Sequence, residues 1–463
     1  MSNESKPELV RGLGAWAATA MVVGNIIGTG VFLVASPMAR ATDSLGLVFL
    51  VWIVGGMLSI FGALAIAELG AAIPEAGGAY VYLKRGFGGQ WGFLFGWMNN
   101  LVGKPASIST IAAGFLIFVT YFVPQASAKI FSTHIPLPFA EKPFEFVFTW
   151  AQPLAALAII GVTIINYLGV RLAGQFQVLL TSLKVGSVVA VALLGFLMAR
   201  RSAADGVAVF PATFNETVLT GFLTAMVAAL WAYDGWFDLT LAGSEIEKPH
   251  RNIPLAVVGG TLLVAAVYLM ANAMYFYALP FEAVKMTKNV AAEAVRQFAG
   301  ENAAAWITAA MVISGLGTLN SSILTGARVP YAMARDKLFF RVADGVHPRY
   351  RTPAGALVFQ CSMACIMVMT GQFEDLFSLF IFAQWIFYGL AVASVIALRR
   401  REPDLPRPYR CWGYPVVPAL FVMGALALTV NIYVQRPVRS TIGLGLILSG
   451  LFFYRHWRQR AAH

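Results

Sequence analysis

Charged side chains are scarce in this 463-residue chain: only 12% of its residues are Asp, Glu, Lys or Arg, whereas 59% are hydrophobic. The mean hydropathy is +0.71. A soluble core of this length cannot accommodate so much apolar side chain. The composition therefore excludes a soluble globular protein and predicts a polytopic, all-α integral membrane protein.

Cysteine is also nearly absent. Cys361 and Cys365 lie one helical turn apart, and Cys411 follows on a later loop. This spacing gives no framework of extracellular disulfides.

The N-terminal stretch is short and polar without a cleavable signal pattern, so we expect the first apolar segment to remain in the mature protein.

Histidine is rare, and none falls at membrane depth. A membrane-embedded enzyme or a metal site would need a cluster of histidines and carboxylates inside the bilayer. All five histidines map instead to predicted loops or to the tail: His134, His250, His347, His456 and His463. We therefore expect no catalytic residue, no metal and no cofactor. A channel is disfavoured as well, because the sequence has no continuous polar lining and no rings of like charge.

Long apolar runs are what the sequence does have. A window of about 20 residues, the length that crosses a hydrocarbon core, predicts twelve transmembrane spans. They lie near 12–41, 46–72, 90–123, 147–168, 173–199, 217–246, 253–279, 303–327, 354–371, 375–398, 413–434 and 440–456. Both termini then share one side of the membrane.

Lys and Arg are about twice as frequent on the side of the termini as on the opposite side. By the positive-inside rule, both termini are expected in the cytoplasm of a cell with the protein in its inner membrane. Basic clusters such as Arg399–Arg401 flank spans, so the net charge of +11 needs only anionic lipid, and no nucleic acid, as its partner.

Two spans are interrupted at mid-membrane, and each opens a group of five. Residues 1–200 would hold helices 1–5, residues 210–400 helices 6–10, and residues 401–463 the last two helices and the tail. Because five is odd, the second group is inverted relative to the first, which is the inverted-repeat plan of many secondary transporters.

The first interruption is Gly24–Gly30, with the letters GNIIGTG. Its glycines let the backbone leave the helical ladder. The amides of Thr29 and Gly30 would then point into the membrane at the N-terminus of a short half-helix, where a carboxylate is favoured. A glycine-rich packing face between helices is the alternative reading.

The second interruption, Ala232–Asp238, contains two carboxylates in the middle of a span. Intramembrane carboxylates usually line a cavity or pair with another group. Freed carbonyls here can accept hydrogen bonds from an ammonium group, so the two breaks together suit a zwitterion. For Asp238 we favour a cap on a second half-helix over contact with substrate. For Asp234 both readings stay open.

Several motifs resemble one known family. They are GNIIGTGVF at 24–32, KPAS at 104–107, AYDGW at 232–236, SEIEKPHRNIP at 244–254, PRPY at 406–409 and GYP at 413–415. The chain is similar, over nearly its whole length, to the L-type amino acid transporters of the amino acid/polyamine/organocation superfamily. The resemblance implies a leucine-transporter fold of 5+5 helices with discontinuous helices 1 and 6, alternating access, and sodium-independent exchange of amino acids.

The resemblance also implies a substrate site. It assigns the substrate carboxylate to the amides of Thr29 and Gly30, and the substrate ammonium to the carbonyls of Ile26, Trp231 and Asp234. The Trp231 side chain would close over the substrate as a gate.

Four aromatic residues are implied as walls of the substrate's side-chain pocket. They are Phe237, which stands where several family members carry a polar residue, and Phe380, Phe382 and Trp385. The last three also fit an ordinary helix core.

Lys184 is the charge that most needs explanation, because it lies deep in a long apolar span. The resemblance places it beside the first break, where sodium-coupled relatives hold a cation. It would bind carbonyls near Gly24 and Asn25 in place of sodium. A proton exchanged at Lys184 could instead drive uptake, and simple bracing of the helix is a third reading.

The second outer loop, 124–145, contains no cysteine. Animal family members that pair with a glycoprotein subunit use a cysteine there, so no disulfide-linked heavy subunit is expected. We predict a bacterial-type carrier that exchanges neutral α-amino acids. Proton-coupled symport of amino acids or polyamines is the alternative, although a pocket of backbone amides favours a carboxylate over a polyamine.

Overall fold

The computed structural model describes residues 9–135, 144–199, 209–287, 289–370 and 373–462, and for 134–135, 144–145, 373–380 and 460–462 it describes the backbone only. Within these ranges the chain is mainly helical. The α-helices are α1 Ala15–Ile26, α2 Gly30–Leu33, α3 Ala35–Thr42, α4 Leu45–Ala72, α5 Ala79–Phe87, α6 Gly89–Met98, α7 Lys104–Phe122, α8 Ala151–Leu168, α9 Val170–Met198, α10 Glu216–Ala232, α11 Pro249–Pro254, α12 Gly260–Ala278, α13 Phe281–Met286, α14 Val290–Gly326, α15 Arg328–Arg335, α16 Ala354–Thr370, α17 Phe373–Arg401, α18 Val416–Gln435 and α19 Pro437–Ala462.

Ten helical segments of the described chain are long and apolar enough to cross a membrane. Two further apolar helices, α10 and α16, have 17 residues each, slightly fewer than the roughly 20 that a span needs. A multi-pass helical membrane protein is therefore confirmed. The number of twelve spans stays a prediction.

The first span is interrupted as the glycines predict. α1 ends at Ile26, because Ile27 leaves the helical region with φ −73° and ψ 86°. α2 begins at Gly30, and α3 continues the path to Thr42. Three residues, 27–29, thus separate α1 from α2.

The second span is interrupted in a different way from the one expected. α10 ends at Ala232, and Gly235, at φ +118°, lies in the left-handed region that favours glycine. The expected half-helix up to residue 246 is wrong: only two short 3₁₀ turns, Asp238–Leu241 and Gly243–Glu245, follow.

The backbone of this segment bonds with distant parts of the chain in addition to the hydrogen bonds within its own 3₁₀ turns. The amide of Gly77 donates to Leu241 O at 2.8 Å, and the amide of Leu13 donates to Glu245 O at 3.1 Å. These bonds to distant residues satisfy backbone carbonyl groups that a continuous helix would have satisfied internally.

The third predicted span also contains an irregularity. A π-helical turn, Asn99–Gly103, separates α6 from α7. Such turns locally widen the helix and often lie at functional sites. Here the turn directly precedes Lys104, the first residue of α7.

The all-α prediction misses one element, a β-hairpin between α7 and α8. Strand β1 (Lys129–Ile135) pairs antiparallel with β2 (Phe144–Thr149). Aromatic residues fit this pleated surface, and the rings of Phe131 and Phe148 stack with centroids 5.1 Å apart. Around the breaks themselves, α1 packs against α9, α12 and α14.

Candidate substrate site at the two helix breaks

The two breaks contact each other directly. A Cβ added to Gly30 would lie 3.0 Å from Ala232 Cα, and one added to Gly235 would lie 3.0 Å from Ile26 N. An added Cβ would crowd the facing backbone at both positions, and Gly235 also has φ +118°, which favours glycine. The sequence expectation that the breaks meet agrees with this geometry.

A tyrosine from α12 joins the two breaks. The Tyr268 hydroxyl lies 2.7 Å from Ile26 O and 2.8 Å from Ala232 O, and the side chain is fully buried. Sequence reasoning missed this residue, since a tyrosine in an apolar span gives no signal of its own. Its hydroxyl is a hydrogen-bond donor for carbonyls that have lost their helical partners at the breaks.

The first break leaves amides free for a ligand. Among the residues that the structure describes, no acceptor receives the amide of Thr29, Gly30 or Val31. Backbone N–H groups at the start of a helix favour an anion. These amides are therefore available to a carboxylate.

The carbonyls expected to hold an ammonium are partly engaged. Ile26 O accepts from Tyr268 and from the amide of Gly28, and Trp231 O accepts from the amide of Asp234 at 3.0 Å. Trp231 O also accepts from the amide of Tyr233, so an ammonium group would share these oxygens with donors that are already present.

Lys184 reaches the first break from α9. Its ammonium donates to Gly24 O at 2.8 Å, to Ile27 O at 2.6 Å and to the Thr318 hydroxyl at 3.1 Å. The side chain is 1% exposed. The contact with Gly24 is the expected one, whereas Ile27 takes the second position in place of Asn25.

Asn25 turns instead toward the second break, where Asp238 lies. Its amide nitrogen is 2.6 Å from Asp238 Oδ2, and Lys104 of α7 forms a buried ion pair with the same oxygen. The expectation that Asp238 caps a half-helix is wrong, because no side-chain cap is present there. A buried carboxylate is held far better by an ammonium than by the amides of a single 3₁₀ turn.

Asp234 accepts a hydrogen bond from the Tyr388 hydroxyl of α17 at 2.7 Å. It also lines a small cavity of about 30 Å³ between the breaks. The cavity is bounded by Asn25, Ile26, Gly28, Thr29, Gly30, Ser107, Ile111, Trp231, Ala232, Asp234, Asp238 and Thr318. All five residues implied for substrate binding, and the gate Trp231 among them, therefore meet at one cavity.

The aromatic residues implied for the side-chain pocket lie elsewhere. Phe237 packs on Tyr388 with ring centroids 4.7 Å apart. Trp385 stacks on Phe421 of α18 at 5.7 Å, and Phe382 packs near Tyr433. None of the three lines the cavity, because each ring packs against an aromatic neighbour from another helix. The side chain of Phe380 lies outside the described residues.

Polar contacts also join segments that are distant in the sequence. Arg328 and Glu245 form a bidentate pair at 2.6 and 2.9 Å with both side chains buried. The Tyr80 hydroxyl donates to Asp336 at 2.6 Å, and burial together with this bond raises the pKa of Tyr80. Tyr80 therefore stays protonated and keeps donating.

Glu68 ties α4 to the end of α17. Its carboxylate accepts from Arg399 at 2.6 Å and from the Cys411 amide at 2.7 Å. Buried next to Glu68, the Cys411 thiol has its pKa raised to about 12. Elsewhere among the described residues, no group of three or more His, Cys, Asp or Glu could hold a metal ion.

Comparisons with a known family and with individual proteins both identify proteins of amino acid transport as similar to this chain. The sequence pattern of the family described as amino acid permease matches residues 13–453. The human b(0,+)-type amino acid transporter 1 is 31% identical over 96% of this chain and 88% of its own length. The Bacillus subtilis serine/threonine exchanger SteT is 29% identical over 98% of both chains. The human large neutral amino acids transporter small subunit 2 is 30% identical over 96% of this chain and 80% of its own length.

Proposed function

This chain belongs to the amino acid permease family, and we propose that it exchanges neutral α-amino acids across the membrane without sodium, by alternating access. It is a transporter and not an enzyme. Relatives over nearly the full chain include transporters and a serine/threonine exchanger.

The observation that carries this proposal is the position of Lys184. Its ammonium donates to Gly24 O and Ile27 O, two carbonyls that the first break would otherwise leave for a cation. A fixed positive charge there takes the role of a bound sodium ion. Transport then needs no sodium gradient.

The substrate would occupy the cavity between the breaks. Its carboxylate is bound by the amides of Thr29 and Gly30, and its ammonium by the carbonyls of Ile26, Trp231 and Asp234. The Trp231 ring, partly exposed beside Gly30, closes over the substrate.

For the architecture we propose twelve spans in a leucine-transporter-like 5+5 inverted repeat. The first half is 1–200, the second is 210–400, and 401–463 adds two helices and the tail. The interrupted segments α1–α2 and α10–Asp238, each at the start of a half, support this division.

The charge distribution supports an orientation with both termini in the cytoplasm and the chain in a bacterial-type inner membrane. We propose further that no disulfide-linked heavy subunit is required. The second outer loop contains no cysteine, and two of the three cysteines, Cys361 and Cys365, lie in α16.

Reconstitution in liposomes tests the proposal. Labelled alanine should enter vesicles only when they contain unlabelled amino acid, and replacing sodium by choline should leave the rate unchanged. Entry that requires sodium, or that needs no internal amino acid, would overturn sodium-independent exchange.

A proton-coupled symporter is the second candidate, because no described acidic residue pairs with Lys184. All three of its hydrogen-bond partners are neutral oxygens. In that case a pH gradient alone, with empty vesicles, should drive accumulation of labelled alanine.

A further inference from the structure

Asp238 has one carboxylate oxygen that no residue in the described part of the chain bonds. Oδ2 accepts from Lys104 and from Asn25. Oδ1 is buried, and no donor among the described residues reaches it. The residue is 3% exposed.

The location of Asp238 makes this unusual. It lines the cavity between the two breaks, so the group able to approach Oδ1 is whatever occupies that cavity. A buried acceptor without a partner is unfavourable. A ligand that carries a donor removes that penalty, whereas an apolar ligand leaves it in place.

The charges around the cavity also favour a substrate side chain that donates a hydrogen bond over an acidic one. Asp234 and Asp238 both line it, and the ammonium of Lys104 is paired with Asp238. The second buried ammonium, Lys184, is taken up by Gly24 O and Ile27 O. An acidic side chain on the substrate would therefore meet a carboxylate oxygen without a neutralising donor.

The neighbouring hydroxyl adds to this polarity. Ser107 of α7 also lines the cavity and is 7% exposed. A substrate hydroxyl can donate to one oxygen and accept from another group. Ser107 can supply the second bond.

We propose that Asp238 Oδ1 determines specificity: it selects amino acids whose side chain carries a hydrogen-bond donor, such as serine and threonine, over their apolar counterparts. This inference rests on the proposed function and names the substrate class of the same site. Lys104 and Asn25 act as positioning residues, because they hold the other carboxylate oxygen and so direct Oδ1 at the cavity.

Threonine and valine test the idea, since they differ by one hydroxyl at nearly equal size. We would measure how well each competes with labelled alanine for exchange into liposomes that contain the native chain. A hydrogen bond to a charged acceptor corresponds to a preference for threonine of about 10- to 100-fold. Equal competition, or better competition by valine, would overturn the inference while alanine exchange upheld the proposed function.

A variant removes the acceptor without leaving a lone buried charge. The double substitution Lys104→Met with Asp238→Leu replaces a buried ion pair by apolar side chains of similar size, which proteins often tolerate. Threonine should lose its advantage over valine in this protein. Asp43→Asn, at an exposed pair with Lys285, is the matched control and should keep the preference.

Two other outcomes are distinguishable. If the double variant loses valine and threonine transport equally while remaining folded, Asp238 binds the α-ammonium common to all substrates and the inference fails. If the native chain exchanges no amino acid at all, the proposed function itself fails and the inference with it. Should the double variant not fold, the comparison on the native chain still decides.

Discussion

The ammonium of Lys184 lies 2.6 Å from the carbonyl oxygen of Ile27, the first residue beyond the end of α1. It therefore holds the backbone where the helix is interrupted. The contact links α9 to the substrate cavity, because Ile26 and Gly28, on either side of Ile27, both line that cavity.

Replacing Lys184 by alanine should lower exchange at least tenfold. Gly24 O and Ile27 O would lose a buried donor, at a cost of about 1–3 kcal/mol each. Initial rates in liposomes, normalised to the reconstituted protein, measure the effect. Lys285→Ala, which removes a lysine at the surface, is the control. A Lys184→Ala protein that turns over normally contradicts the role proposed for this residue.

Gly30→Ala should abolish transport while the protein remains folded. The added Cβ would lie 3.0 Å from Ala232 Cα and 3.1 Å from Ala232 Cβ, and overpacking of this kind costs about 1–3 kcal/mol. Gly161→Ala is the matched control, because nothing lies within 4 Å of its new Cβ. Exchange assays with size-exclusion profiles should separate the two variants. Normal transport by Gly30→Ala would mean that the breaks do not need this close approach.

Tyr268→Phe should reduce the exchange rate about tenfold, because a single hydroxyl bridges Ile26 O and Ala232 O, and an orphaned buried carbonyl costs about 1–3 kcal/mol. Tyr277→Phe, in the same helix, should behave like the native chain, since its ring packs on Phe196. Equal rates for the two variants would argue that the bridge has no part in transport.

The Arg328–Glu245 pair should stabilise the fold only when both members are present. Glu245→Gln leaves Arg328 buried without its counter-charge, and breaking a buried pair costs about 3–5 kcal/mol. The double substitution Arg328→Met with Glu245→Leu should recover much of this stability. Thermal unfolding in detergent, followed by size-exclusion chromatography, measures both. Single and double variants that unfold at the same temperature would contradict this coupling.

The correct sequence predictions were those that depend on one stretch of chain. Apolar runs predicted a multi-pass helical protein, and ten described helices are long and apolar enough to cross a membrane, since a helix in lipid satisfies its own backbone. Glycines gave the break before Gly30. The second break was predicted at the right residues, but the half-helix after it was not found, because Leu241 O and Glu245 O accept from residues far along the chain.

The remaining predictions were correct or wrong according to which side-chain partner each residue has in the fold. Lys184 had to bind an oxygen near the first break, and the sequence motif indicated Gly24. No local signal distinguished Asn25 from Ile27 as the second contact, or indicated that Asn25 turns to Asp238. The capping role expected for Asp238 failed for the same reason: its actual partner, Lys104, is 134 positions away.

By itself, the sequence determined that this chain is a multi-pass membrane protein of one transporter family, with two interrupted apolar spans and a lysine, Lys184, deep in a third. Hydrophobic length and glycine content act locally, so they can be read along the chain. Only the tertiary structure decided that Tyr268 joins the two breaks and that Asp238 lines the cavity with one oxygen that no described residue bonds. These features arise from groups on different helices, and their distances are fixed only when those helices pack together.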